Sequence, residues 1–169
     1  MNLFLDTSAL VKRYNKEKGT REIDAIFKDT SVDIWISQLA TVEIASALSK
    51  KVRMGEINDR SKHIAIAAFL RDYGKERFKV IFLDKETIRG ATGTLIQKGS
   101  QIPLRTLDAL QLECALQLSR GKTLDVMVVS DNKFKASIES IGGITVFDPE
   151  VETWNRVKRR LAKQLKSTE

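Results

Sequence analysis

The sequence predicts an α/β fold in which a mainly parallel sheet is covered by helices on both faces. Five short apolar segments have the length and composition of buried strands: NLFLD, VDIWIS, KVIFLD, LDVMVVSD and a weaker GITVFD. Segments with a helical spacing of apolar residues alternate with these strands along the chain. Alternating strands and helices form right-handed crossover units, which build a parallel sheet buried on both faces.

The helical segments follow the strands in order. One segment follows the first strand, two follow the second, and two follow the third, and these last four cover residues 37–53, 58–74, 85–99 and 105–121. Ser37 and Asn58 are expected N-caps, and Gly121 is an expected C-cap. The final segment, WNRVKRRLAKQLK, places Trp154, Val157, Leu161 and Leu165 on one apolar stripe, which predicts a basic helix docked on the same domain.

Size and composition restrict the function classes. A chain of 169 residues, with 42% hydrophobic and 30% charged residues, suits one domain with its own core. The single Cys114 lies in an apolar run and cannot form an internal disulfide, and the single His63 offers no second imidazole for a zinc site. The longest apolar run, IAIAAFL, is far shorter than the roughly 20 residues that span a bilayer, so we expect a cytoplasmic protein without a membrane segment.

The net charge of +7 favours a polyanionic partner such as nucleic acid. Charge alone leaves a second interpretation open, which is a basic surface that only confers solubility. Lys12, Arg13, Lys16 and Lys18 follow the first strand, and Arg105 precedes a helical acid, so these side chains are candidates for phosphate contacts. The alternative for each of them, which remains the more common case, is an ordinary solvated helix face.

Two acids follow strands at one edge of the predicted sheet. Asp6 ends the first strand and Asp131 ends the fourth. Ligands of open parallel sheets bind beyond the carboxyl ends of the strands, so both side chains are expected at the same rim. Either residue could instead be the N-cap of the helix that follows it.

Two further acids lie on apolar surfaces of helices. Asp108 shares a helix face with Leu112 and Ala115, and Glu43 is surrounded by apolar residues of its own segment. A buried carboxylate without a partner costs several kcal/mol or takes up a proton. A divalent cation is a suitable partner because Mg²⁺ and Mn²⁺ prefer carboxylate oxygens, and ion pairs with Arg105 or Lys133 are the alternative.

Together the four acids indicate a phosphodiesterase. Setting them aside from the 22 acidic residues leaves 18 acids against 29 Lys and Arg, an excess of 11 positive charges around an acidic cleft. Such a body attracts a nucleic-acid backbone, and the metal-loaded cleft hydrolyses it. A phosphatase or phospho-receiver with Asp6 as nucleophile is less favoured, because the phosphatase pattern requires a second Asp two residues after the first, where this chain has Ser8.

Four ordered motifs resemble the acidic motifs of PIN-domain ribonucleases, most closely those of the VapC toxin type. The motifs are LDTSALVKRY, TVEIASAL, PLRTLDALQLECAL and VVSDNKF, and the resemblance extends to about Asp148. It implies an α/β/α sandwich whose nuclease domain covers residues 1–148, followed by the basic helix in 149–169. It also implies an endoribonuclease, the toxin of a toxin–antitoxin pair, that binds Mg²⁺ or Mn²⁺ through Asp6, Glu43, Asp108 and Asp131.

The resemblance carries further expectations. Ser8 matches the hydroxyl residue after the first Asp, and a cognate antitoxin and a homodimer are the implied partners besides RNA. The chain has Gln111 where the family often has His, and Val129 where it often has Thr, so Ser130 is the candidate for a supporting hydroxyl near Asp131. The competing function class is a non-catalytic nucleic-acid-binding or assembly module that keeps the same fold.

Overall fold

The structure is a computed structural model that describes residues 1–166, with side chains up to residue 163. Its five strands are β1 (Asn2–Leu5), β2 (Asp33–Ser37), β3 (Lys79–Ile81), β4 (Val126–Val128) and β5 (Val146–Phe147). The helices of this described part are α1 (Thr7–Leu10), α2 (Thr20–Lys28), α3 (Ala40–Arg53), α4 (Asp59–Gly74), α5 (Lys85–Lys98), α6 (Thr106–Arg120), α7 (Asn132–Ile141) and α8 (Trp154–Lys166). A short 3₁₀ turn, Val11–Arg13, continues α1.

The strands form one sheet in the order β3-β2-β1-β4-β5, and every neighbouring pair is parallel. Leu3 of β1 pairs with Ile34 on one side and with Val126 on the other, so β1 lies in the centre. The strand order reverses direction at β1, and crevices at such switch points are where parallel sheets bind ligands. The predicted parallel α/β architecture is confirmed.

Side chains of each strand alternate between two hydrophobic clusters, as the pleat requires. Leu3 and Leu5 point into a cluster formed with α1, α2, α3, α4 and α8, whereas Phe4 points into a second cluster formed with α5, α6 and α7. The sheet is therefore buried on both faces, which makes a three-layer α/β/α sandwich.

Several local predictions can be compared with the structure. Asn58 caps α4 by accepting a hydrogen bond from the Ser61 amide, and Gly121 is the C-cap of α6, as expected. The prediction for Ser37 is wrong, because Ser37 is the buried last residue of β2 and α3 begins only at Ala40. The sequence pattern also did not single out α2, which begins after Gly19 in a left-handed conformation with φ of 88°.

The C-terminal helix α8 contacts α2 through its apolar stripe. Trp154, Val157 and Leu161 are buried in the same cluster as Leu3, whereas the side chain of Leu165 lies outside the described residues. The Trp154 indole N–H donates to the Asp29 carboxylate over 3.1 Å. Residue 148 as the boundary between a nuclease domain and a C-terminal helix stays a prediction. Among the described helices, none combines the length and apolar character needed to cross a membrane.

Candidate active site

Asp6 and Asp131 both lie at the carboxyl rim of the sheet, where β1 and β4 end side by side. Each is also an N-cap. Asp6 accepts a hydrogen bond from the Ser8 amide over 2.9 Å, and Asp131 accepts from the Lys133 and Phe134 amides over 2.8 and 3.1 Å. The capping bonds use one oxygen of each carboxylate, so the cap and the site are compatible functions of the same side chain.

Asp6, Glu43, Asp108 and Asp131 line a single cavity of about 500 Å³ at this rim. The structure therefore brings together four acids from four separate segments of the chain. In the part of the chain that the structure describes, however, no group of three or more His, Cys, Asp or Glu side chains is arranged to hold a metal ion. The cavity collects the four carboxylates without closing them into a ready coordination cage.

Ser8 links the two strand ends. Its hydroxyl donates to Oδ2 of Asp6 over 2.5 Å and accepts hydrogen bonds from the backbone amides of Ser130 and Asp131 over 3.0 and 3.1 Å. Ser8 thus fixes the spacing of the first and fourth acidic segments. The Ser130 hydroxyl itself is buried and has no hydrogen-bond partner among the described residues.

Glu43 is held by two side chains that the sequence analysis did not assign to the site. The Thr7 hydroxyl donates to Oε2 of Glu43 over 2.8 Å, and the Gln111 amide donates to the same oxygen and to the Thr7 hydroxyl. Position was the available signal, because Thr7 follows Asp6 directly and Gln111 lies one helical turn after Asp108. Gln111, noted only as a departure from the family pattern, donates a hydrogen bond to the second acid.

Arg105 contacts the other two acids. Its Nε donates to Oδ2 of Asp108 over 2.8 Å, and one terminal nitrogen donates to Oδ2 of Asp131 over 2.8 Å. The ion-pair alternative is therefore realised for Asp108 and Asp131 through Arg105. Among the described contacts, Lys133 takes part only through its backbone amide.

The pKa values of Asp6, Glu43 and Asp131 shift in different directions, depending on whether Arg105 contacts the acid. Burial raises the pKa of Asp6 to about 6, against the hydrogen bonds from Ser8 and with a smaller contribution from the charges of Glu43 and Asp108. Burial also raises the pKa of Glu43. For Asp131, burial acts in the same direction, but the Phe134 amide and Arg105 outweigh it and the pKa is lowered.

The predicted phosphate contacts of the segment after β1 need correction. Lys12 is buried and forms ion pairs with Glu17 over 3.0 Å and with Glu150 over 2.6 Å, so that prediction is wrong for Lys12. Arg13 is paired with Asp24 over 2.5 Å. Lys16 and Lys18 likewise do not line the acidic cavity, whose basic residues in the described chain are Lys50 and Arg105.

The donor set suits a hard divalent cation. Carboxylate oxygens are the ligands that Mg²⁺ and Mn²⁺ prefer. Asp6 and Glu43 have no basic partner among the described residues, and each has one oxygen without a hydrogen bond in that part of the chain. One rim thus holds two carboxylates without a basic partner in the described chain and two that are paired with Arg105.

The fold and the cavity define a class: a single parallel α/β unit with four acids gathered at the carboxyl edge of its central strands. The sequence model of the PIN domain family matches residues 3–136, a range that contains all four acids. The chain therefore belongs to the PIN domain family. Domains of this family are generally nucleases.

Solved structures support this fold assignment. PAE2754 from Pyrobaculum aerophilum has a TM-score of 0.59 at 20% identity, covering 97% of this chain and 91% of that one. VapBC2 from Rickettsia felis, bound to a DNA fragment from its promoter, has a TM-score of 0.57 at 18% identity, with coverage of 88% and 98%. Mycobacterium tuberculosis VapC20, a sarcin-ricin loop cleaving toxin, has a TM-score of 0.58 at 16% identity, with coverage of 80% and 94%. None of the curated proteins matches the chain.

Proposed function

We propose that the protein is a metal-dependent endoribonuclease in which Asp6, Glu43, Asp108 and Asp131 hold Mg²⁺ or Mn²⁺. The observation that carries this proposal is the convergence of four acids from separate segments on one cavity at the carboxyl rim. Asp6 is 6% exposed and lacks a basic partner in the described chain. A buried carboxylate of this kind destabilises the fold unless a cation compensates its charge.

The side chains around the acids have separate roles in this proposal. When bound, the divalent cation supplies a Lewis acid that lowers the pKa of a water molecule and stabilises charge on the attacked phosphate. Ser8 fixes Asp6 against the strand end that carries Asp131. Thr7 and Gln111 donate to one oxygen of Glu43, and the other oxygen accepts no hydrogen bond in the described chain.

We further propose that the enzyme is a toxin controlled by an antitoxin. One similar structure is a VapBC complex and another is a VapC toxin that cleaves the sarcin-ricin loop. The wall of the cavity carries exposed apolar side chains, Val42 at 69% and Leu107 at 48%, which suit a protein segment as occupant. RNA as substrate, a homodimeric state and a cytoplasmic location belong to the same proposal.

Cleavage of RNA in the presence and absence of divalent ions tests the enzyme proposal. We expect a labelled total-RNA substrate to be cut with Mg²⁺ or Mn²⁺, to stay intact with EDTA, and to stay intact with Asp6→Asn. Asp33→Asn is the matched control, because Asp33 is an exposed acid at the opposite end of the central strands. RNA cleavage by Asp6→Asn at the wild-type rate would contradict the proposal.

A non-catalytic binding module is the second candidate, and one observation favours it. Arg105 already forms ion pairs with two of the four acids, which lowers their need for a metal in a scaffold. Gel-shift binding of RNA that is unaffected by EDTA, with no cleavage under any divalent ion, would support this candidate. Cleavage that depends on the ion and on Asp6 would exclude it.

A further inference from the structure

Arg105 reaches the acidic cavity from its exposed edge. The residue is the N-cap of α6 in an extended conformation, and its side chain makes no capping bond to the helix. Its side chain is 64% exposed, whereas the side chains of Asp108 and Asp131 are 14% and 31% exposed. The guanidinium can therefore leave these acids for solvent without any rearrangement of the core.

The contacts of Arg105 occupy the acids on its side of the cavity. Oδ2 and Oδ1 of Asp108 accept from the guanidinium over 2.8 and 3.5 Å. Oδ2 of Asp131 accepts from it over 2.8 Å, while Oδ1 of Asp131 is held by two backbone amides. Both oxygens of these acids are thus engaged, in contrast to those of Asp6 and Glu43.

We propose that Arg105 is a displaceable counter-ion, which holds Asp108 and Asp131 in the metal-free protein and gives way when a divalent cation binds. Once released, the guanidinium lies at the mouth of the cavity and binds a phosphate group of the RNA. This inference rests on the proposed nuclease function of the same four acids. It explains why the cavity collects the carboxylates while no ready metal cage is formed within the described residues.

The energetics allow the exchange. Exposed Arg–carboxylate pairs contribute about 0–1 kcal/mol, so the contact is weak enough for a divalent cation to break. The fork of the guanidinium nevertheless matches both carboxylates and phosphates, which makes it suited to both states. Because only the open fraction of the protein binds the cation, the closed contact lowers the apparent affinity by that fraction.

The test is a Mn²⁺ titration followed by electron paramagnetic resonance of the free ion. We expect Arg105→Gln to bind Mn²⁺ about fivefold more tightly than the wild type, corresponding to a contact that is closed about four-fifths of the time. Arg89→Gln is the control, because Arg89 is 77% exposed and pairs with Glu86 on α5 at the same sequence spacing. That variant is expected to bind Mn²⁺ like the wild type.

A second variant distinguishes the contact of the Arg105 guanidinium with the two acids from simple repulsion between its positive charge and Mn²⁺. Lysine keeps the positive charge but lacks the fork that spans both carboxylates. Arg105→Lys is therefore expected to have an affinity between those of the wild type and Arg105→Gln. An affinity equal to the wild type would mean that the charge alone matters, and would overturn the inference.

The proposed contact between Arg105 and a phosphate group is tested by KM for RNA and not by the Mn²⁺ affinity. We expect Arg105→Gln to raise KM for a short RNA several-fold at saturating Mn²⁺ while its Mn²⁺ affinity increases. Mn²⁺ binding that is lost in Asp6→Asn but identical in wild type and Arg105→Gln would overturn this inference alone. Tighter Mn²⁺ binding by Arg105→Gln, together with no RNA cleavage by the wild type under any divalent ion, would instead contradict the nuclease proposal and leave the role of Arg105 as a counter-ion intact.

Discussion

The acidic cavity has two halves with opposite electrostatics. The inner half, Asp6 and Glu43, is held by hydroxyl and amide donors without a basic partner in the described chain, and burial raises both pKa values. The outer half, Asp108 and Asp131, shares the guanidinium of Arg105, and the pKa of Asp131 is lowered. The two halves face the same cavity.

The difference shows how one cavity can keep four carboxylates together without a metal. If every acid were paired with a basic group, the cavity would not attract a cation. If none of the four were paired, their negative charges would repel one another strongly in a buried cleft. Here the exposed side chain of Arg105 compensates one of the two negative charges of the outer half, and the inner half has no such compensation, so the cavity retains negative charge that attracts a cation. The inner half thus destabilises the metal-free fold, and the outer half does not.

Loss of RNA cleavage is the largest expected effect, and it tests whether the halves act together. Asp6→Asn and Asp131→Asn, one from each half, are each expected to lower kcat/KM for RNA at least about a hundredfold, since even outer-shell changes around a metal cost up to that factor. Initial rates at saturating Mg²⁺ provide the measurement. If only Asp6→Asn loses activity, the outer half is not part of the site.

Stability of the metal-free protein is the next largest effect. With EDTA at pH 8, Asp6→Asn is expected to raise the free energy of unfolding by up to about 3 kcal/mol, because the raised pKa of Asp6 measures the cost of its buried charge. Asparagine is also a good N-cap, so the start of α1 is retained. Urea denaturation measures the change, with Asp33→Asn as the control for loss of an acidic residue.

The free energy of unfolding of the metal-free protein should change with pH in a defined direction. The pKa of Asp6 is about 6 in the folded protein and near 3.8 when unfolded, so the folded state binds more protons between these values. The free energy of unfolding in EDTA is therefore expected to fall as pH rises from about 4 to about 7. Asp6→Asn should flatten this slope. A slope that is the same in both proteins would show that Asp6 carries no buried charge.

A substitution in the outer half should have a small effect on the free energy of unfolding, opposite in sign to the effect of Asp6→Asn. Asp131→Asn breaks an ion pair with the exposed Arg105 but keeps a capping side chain for α7. We expect it to lower the free energy of unfolding by about 0.5 kcal/mol in EDTA, in the range of surface pairs. Stabilisation by this variant, comparable with that of Asp6→Asn, would remove the distinction between the halves.

The layers of the fold were predictable from the sequence for a simple reason. Parallel strands buried on both faces are continuous apolar runs, and the runs that contain Leu3, Ile34, Val80, Val126 and Val146 all became strands. The helix α2 was not singled out because it spans only nine residues, so its apolar pattern of Ile23, Ile26 and Phe27 is short. Its start depends on the backbone conformation of Gly19, which the sequence pattern does not show.

The site was predictable only in part. The four acids could be placed at one rim from strand ends and helix faces, and the structure places them there. Contacts between distant segments could not be predicted: Lys12 is buried through an ion pair with Glu150, 138 residues away, and Arg105 reaches Asp131 across 26 residues. Such pairs depend on how helices pack, which composition and periodicity leave undetermined.

The central claim is that the two halves form one cation site, and a Mn²⁺ titration of single variants from each half tests it most directly. Asp6→Asn and Asp108→Asn are both predicted to abolish the tight binding of Mn²⁺ that the wild type shows, whereas Asp33→Asn is predicted to keep it. Tight Mn²⁺ binding that survives either of the first two changes would contradict the claim.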